Sequence, residues 1–293
     1  MHFLILCILS STSIFVIFRS IERFKLPSFP VIILNYFFAA ILGFLVHPID
    51  FSTNSLLKND WFLISLLIGI LFILMFFLIA RSSQNAGISV TTIASKMSVV
   101  FPIILSLIIS PTDKLTTIKA LGVLFALIGV VLTIIKPGEK NFDYKKIYLP
   151  LILFVGMGFV DSLVKYAQHL YVGDEDVALF SAVLFFNAFA TGVIILLFKP
   201  KYFIWFKRKK TWGWGLLLGI VNFGSIFFLV RSLNFIGSSG LRFDSSIVFG
   251  INNIGIVSLS VMAGLLIFKE RLKSINWIGI AISAIAIILF TLS

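Results

Sequence analysis

Residues 64–89 read ISLLIGILFILMFFLIARSSQNAGIS, and residues 214–239 read WGLLLGIVNFGSIFFLVRSLNFIGSS. Set one above the other, at a shift of 150, they agree at nine of 26 positions. The pairs are Leu66/Leu216, Leu67/Leu217, Gly69/Gly219, Ile70/Ile220, Phe77/Phe227, Arg81/Arg231, Ser82/Ser232, Gly87/Gly237 and Ser89/Ser239. Biased composition alone gives about two or three such matches. Further along, the shift becomes 157, pairing Leu115/Leu272, Ile118/Ile275, Gly122/Gly279 and Leu132/Leu289, with Asp113 and Lys114 opposite Glu270 and Arg271. The chain is an internal repeat whose second half has gained seven residues between these blocks, in its fourth helix.

Each repeated stretch is apolar for long enough to cross a bilayer, and the rest of the chain is of the same kind. Of 293 residues, 59% are apolar, 12% are charged and 33 are Phe. A water-facing surface needs about 25% charged residues, so lipid must be the solvent for most of this chain. Crossing about 30 Å of hydrocarbon takes roughly 20 helical residues. Ten runs qualify: 3–18, 30–46, 61–79, 88–109, 116–135, 148–167, 177–198, 212–235, 241–268 and 275–292. The first lacks a basic preceding segment and a following cleavage pattern, so it reads as a retained span and not as a signal peptide. Helices are the reading that satisfies backbone groups in lipid. A barrel needs alternating polar residues, which these runs lack.

The expected fold is therefore an all-α integral membrane protein of ten transmembrane helices, in two five-helix repeats over 1–137 and 138–293. An odd number of spans per half makes the halves enter the bilayer from opposite sides. Inverted repeats are a common plan of secondary transporters, because two like halves can exchange conformations about a central site. Loops one, three, five, seven and nine carry 17 of the 24 basic residues, and the even loops carry Lys58, Lys114, Lys119 and Arg242. Basic loops stay cytoplasmic, so both termini are expected outside the cytoplasmic membrane, as is the acidic 174–176 loop. This distribution accounts for the net charge of +12 without a nucleic-acid partner. Cys7 is the sole cysteine, and His2, His47 and His169 are scattered, so neither a disulfide framework nor a metal or other cofactor is expected.

Polar residues at mid-depth are the candidates for a site. A charge at the bilayer centre costs about 2.5–3.5 kcal/mol on insertion scales. Lys96 lies near the middle of the fourth span, beside Ser95 and Ser98. Its i±3 and i±4 neighbours, Ile93, Val99, Thr92 and Val100, offer no acid. Pro102 cannot donate to the Ser98 carbonyl, which predicts a kink and a free carbonyl near the ammonium. Asp161 and Lys165 share one face of the sixth span, in the favourable acid-before-base order. They form either a self-neutralised pair or part of the cavity, and Asp161 could instead pair with Lys96 or carry a coupling proton. Asn187, Asn252, Asn253 and Asn222 lie near span centres, with Asn35 shallower and Ser11 in the polar run of the first span. Asparagines bond between helices as readily as to substrate. Asn252 and Asn253 point about 100° apart, so one of the two is expected to line the cavity. Gly215 and Gly219, Gly122 and Ala126, and Gly279 and Ser283 give close-packing pairs, within the chain or at a homodimer face.

These features resemble the drug/metabolite transporter superfamily, in particular its ten-helix EamA type. The resemblance is sharpest at the end of each half. FKERLKSINWIGIAISAIAIILF, at 268–290, looks like the family's acidic residue, short loop and Gly-containing helix. PTDKLTTIKALGVLFALIGVVL, at 111–132, is its degraded counterpart, and Pro102 matches a proline common in the family's fourth helix. The resemblance implies a carrier whose fifth and tenth spans are peripheral and whose other eight surround a cavity. Family members often place their termini in the cytoplasm, and here the charge distribution argues otherwise. The expected function is a secondary carrier, an exporter of small metabolites such as amino acids, working by alternating access as monomer or homodimer. A sugar or nucleoside-type uptake carrier of the same fold is the alternative. A channel or intramembrane enzyme is disfavoured, because no filter-like sequence and no Ser–His or HExxH arrangement is present.

Overall fold

The computed structural model describes residues 2–46, 61–109, 115–135, 145–171, 177–233 and 245–292. His47, Asp113, the 174–176 loop and the 237–240 stretch lie outside the described residues. Helices account for almost all the rest: α1 (His2–Arg23), α2 (Ser28–Val46), α3 (Trp61–Asn85), α4 (Ile88–Met97), α5 (Val100–Ile109) and α6 (Thr117–Ile134). Then follow α7 (Lys145–Leu170), α8 (Val177–Leu197), a 3₁₀ turn, the short α9 (Phe203–Phe206), α10 (Lys209–Leu233), α11 (Ser245–Leu266) and α12 (Ser274–Thr291). Among the described residues, ten helical segments are long and apolar enough to cross a membrane, with α4 and α5 together supplying the fourth, Ile88–Leu105.

The boundaries run past the apolar limits at several ends. α2 starts at Ser28, two residues before Pro30, because proline is tolerated in a first turn where its missing N–H has no partner to lose. α1 continues to Arg23, whose side chain donates to the Ile267 carbonyl at 3.1 Å and lies over the Phe268 ring.

Packing between spans follows a closed order. The first span lies against the eighth, the eighth against the second, then the seventh, third, sixth, fourth and ninth, which returns to the first. α6 and α12, the fifth and tenth spans, pack chiefly on each other, outside this ring. Their contact is antiparallel and built on small residues. A Cβ on Gly122 would come within 2.6 Å of the Phe290 ring, and one on Gly279 within 2.5 Å of Thr133 Oγ1. Asn276, at the start of α12, donates to the last carbonyls of α6, Thr133 O at 2.9 Å and Ile135 O at 2.8 Å. Gly215 and Gly219 of α10 similarly let α2 approach, at Leu34 and Asn35. The small-residue pairs expected at close contacts are thus all used within the chain.

The ring is not hollow. α1 also touches α3 across it, dividing the interior into two lobes. One lobe, between α1, α10, α2, α8 and α3, is filled by buried side chains that include Phe18, Tyr36 and Phe185. Tyr36 stacks on Phe72 at 6.4 Å and its hydroxyl donates to the Phe72 carbonyl at 3.0 Å. The other lobe, between α1, α3, α7, α4 and α11, holds the interior charges.

Candidate functional site

The fourth span breaks where its proline dictates. α4 ends at Met97 and α5 begins at Val100, leaving Ser98 and Val99 as a turn. The break falls four residues before Pro102, whose nitrogen has no hydrogen for the Ser98 carbonyl. The expected kink is present, but the expected free carbonyl is not. The Phe101 amide turns inward and donates to Ser98 O at 3.0 Å, a tighter 3₁₀-type bond. What the break frees is the Ser98 side chain, fully buried, which lies 2.6 Å from Ser95 O and 3.1 Å from Asp161 Oδ2.

Asp161 reaches Ser98 because α7 lies close on α5. Gly158, three residues earlier, has no side chain where a Cβ would meet Phe101, and Gly156 does the same at Met75 of α3. Lys96 comes from the last turn of α4 and interacts electrostatically with Asp161. Among the described residues, no carboxylate lies within 4.0 Å of the Lys96 ammonium. The two charges therefore attract without forming a contact pair, and both side chains keep partial access to the interior.

Cys7 of α1 also senses the Lys96 charge. Its thiol lies 3.2 Å from both Asn252 Oδ1 of α11 and Ser225 O of α10, with the Ser11 hydroxyl within hydrogen-bond reach one turn on. Lys96, Ser98, Asp161, Asn252 and Ser11 are thus brought to one lobe. Asn253 is half-buried, and among the described residues its side chain makes no hydrogen bond. Lys165 is exposed and donates to Pro102 O at 3.3 Å, and Asp161 accepts from Ser98 and lies under the influence of Lys96.

Asn187 is elsewhere. Its amide donates to Ser65 Oγ at 2.9 Å, fastening α8 to α3 beside Gly69, whose Cβ would strike the Asn187 backbone. Asn222 and Asn35 bond each other between α10 and α2 once the Asn35 amide is oriented to suit its neighbours.

Two contributors escape the polar-residue scan of the sequence. Cys7 precedes Ser11 by one helical turn, and that shared face was the available signal. Glu270 lies outside any span, yet it accepts from the Ile88 amide at 2.5 Å and from Ser89 Oγ at 2.8 Å. It caps the amino end of the helix that carries Lys96, where a carboxylate satisfies orphan N–H groups and the helix dipole. Its sequence signal was the repeated acidic position after the fourth and ninth spans.

No family model matches the chain. It is 28% identical over 296 residues to an uncharacterized protein of Haemophilus influenzae, covering 98% of this chain and 96% of that protein. A solved structure, entitled "Crystal structure of protein", superposes over 98% of both chains with a TM-score of 0.56 and 15% identity, a likeness of fold alone.

Proposed function

We propose that this chain is a secondary carrier of small polar metabolites that bear an anionic group, amino acids among the candidates. We further propose that it spans the cytoplasmic membrane ten times, as two inverted five-span repeats of the EamA type, with both termini outside. The observation that carries the reading is the separated Lys96–Asp161 pair in a polar lobe within the ring of spans. Intramembrane charges cost several kcal/mol unless a cavity or partner repays them. Here the two charges influence one another without an ion-pair contact, with the Ser98 hydroxyl on Asp161 and the Cys7 thiol near Lys96.

The packing supports the inverted plan. Moving five spans along the chain carries the ring order onto itself: first against eighth becomes sixth against third, and eighth against second becomes third against seventh. At the outer pair the correspondence is residue for residue, since the 157 shift carries Gly122–Phe290 onto Gly279–Thr133. Arg81 and Arg231 also lie at opposite ends of α1: Arg19 bonds the Gln84 carbonyl near one, and Phe3 stacks on Phe228 near the other.

The test is a proteoliposome uptake screen across metabolite classes, with and without a proton gradient, followed by counterflow of any substrate found. Saturable uptake that shows counterflow is expected. Non-saturable flux without counterflow identifies a channel, and chemical conversion of a probe identifies an enzyme.

A further inference from the structure

The Ser98 hydroxyl has one hydrogen and two acceptors. It lies 2.6 Å from Ser95 O and 3.1 Å from Asp161 Oδ2. When Asp161 is a carboxylate, the hydroxyl donates to Oδ2. When Asp161 holds a proton, its O–H donates to Ser98 Oγ, and the hydroxyl turns to Ser95 O. With Asp161 protonated all three groups are bonded, and with Asp161 ionised the Ser98 hydroxyl leaves Ser95 O to hold Oδ2, so one rotating hydroxyl follows the proton on and off the carboxyl.

The proton arrives when the charge in the lobe changes. The groups facing Asp161 from its neighbours are few. Lys96 faces it from the fourth span, while Lys165 on its own helix is turned to Pro102 O. α3 and α6 carry only Arg81 and Lys119, both toward helix ends, and α1 offers Cys7 beyond Lys96. The empty lobe is neutral, Lys96 positive and Asp161 negative. A monoanion that enters against Lys96 brings a second negative charge into a low-dielectric space. Leaving it uncompensated is costly, and Asp161 is the acceptor at hand.

We propose that Asp161 is the coupling site, taking up one proton for each organic monoanion that engages Lys96. The proton enters from the same side as the anion, sits on the carboxyl with its hydrogen toward Ser98, and leaves with the anion on the other side. Loaded and empty lobes are both neutral, so the cycle is electroneutral symport. Import follows wherever the outside is more acidic, in place of the export expected from the sequence. The proposal rests on the carrier reading above and adds to it a substrate charge, a stoichiometry and a direction.

Reconstituted protein tests it in two ways. Infrared difference spectra between pH 5 and pH 9 are expected to show a carboxylic-acid band that Asp161→Asn removes. Proteoliposomes are then offered labelled lactate, pyruvate, glycerate and gluconate under an imposed pH difference. Accumulation of at least one probe is expected at about tenfold per pH unit, unchanged by a clamped membrane potential. Asp161→Asn, a permanent mimic of the acid form, should retain counterflow and lose pH-driven accumulation. A purely structural Asp161 would lose both together. If Asp161→Asn fails to fold, Ser98→Ala keeps the charge pair and should change the pH of half-maximal accumulation. Uptake that ignores pH, or follows potential, overturns the coupling and leaves the carrier. Movement of zwitterions or sugars with no monoanion moved does the same. A protein that moves no probe of any class overturns the carrier reading itself.

Discussion

Glu270 lies 182 positions beyond Ile88, yet its carboxylate accepts the Ile88 backbone amide at 2.5 Å. The contact ties the loop after the ninth span to the start of the fourth. Gly87 just before it sits at φ 104, a conformation that side-chain-bearing residues rarely adopt, and a Cβ there would lie 2.8 Å from Glu270 Oε1. Glu270→Gln turns an amide N–H₂ toward backbone donors and should cost about 1–3 kcal/mol. Gly87→Ala should cost a similar amount through backbone strain. Thermal melting of purified protein in detergent would show both as a lowered Tm. An unchanged Tm for both would mean the cap contributes nothing.

Lys96→Met removes a charge that is expensive to insert, so the variant should express and insert normally. Transport should fall by about 30-fold or more, the loss expected when a buried charged contact to a ligand worth 2 kcal/mol or more is removed. Transport near wild type, at equal expression, would take Lys96 out of the site and leave Asn252 the better candidate.

Asn187 and Asn252 should part company. Asn187→Ala loses the bond to Ser65 between α8 and α3 and should cost stability, about 1 kcal/mol, with substrate affinity unchanged. Asn252→Ala unties Cys7 in the polar lobe and should alter affinity. The reverse pattern in paired melting and uptake measurements would exchange their roles.

The sequence made the two look alike. Both lie near span centres, and depth along a helix says nothing about which neighbour a side chain meets. That depends on the helix's rotation, which is set by contacts far away in the chain, such as Gly69 against the Asn187 backbone. The spans themselves were legible because length and hydropathy are local properties, and the Ser98 break because Pro102 acts on the residue four before it. That Lys96 needs a counter-charge from beyond its own helix was legible, since its i±3 and i±4 neighbours include no acid, while the influence of Asp161 on it depends on how α7 and α4 pack. The Glu270 cap was not, because it exists only once two distant loops meet. The free Ser98 carbonyl was a mistaken expectation, since a turn can recruit the next available N–H.

Gly279→Val should wedge α6 from α12, where a Cβ already meets Thr133, at a cost of about 1–3 kcal/mol. Gly213→Ala, with nothing within 4 Å of the added carbon, should be neutral. Equal losses for the two in melting experiments would contradict the packing described at the outer pair.

Both termini should face outward, on the strength of 17 basic residues in the odd loops against four in the even ones. Fusions at the carboxyl terminus decide this. Active alkaline phosphatase with a dark fluorescent protein is expected, and a bright fluorescent fusion with inactive phosphatase refutes it.

The α1–α3 contact has a mechanical consequence. It leaves one lobe of the ring solid with aromatic side chains and the other polar. Close-packed interiors resist compression. The polar lobe therefore cannot widen by squeezing its neighbour. In the proposed carrier any widening has to come from tilting helices about it, with Tyr36 and the rings around it as the fixed point. Larger or smaller side chains there should change how far the bundle can tilt while leaving the chemistry of Lys96 and Asp161 untouched.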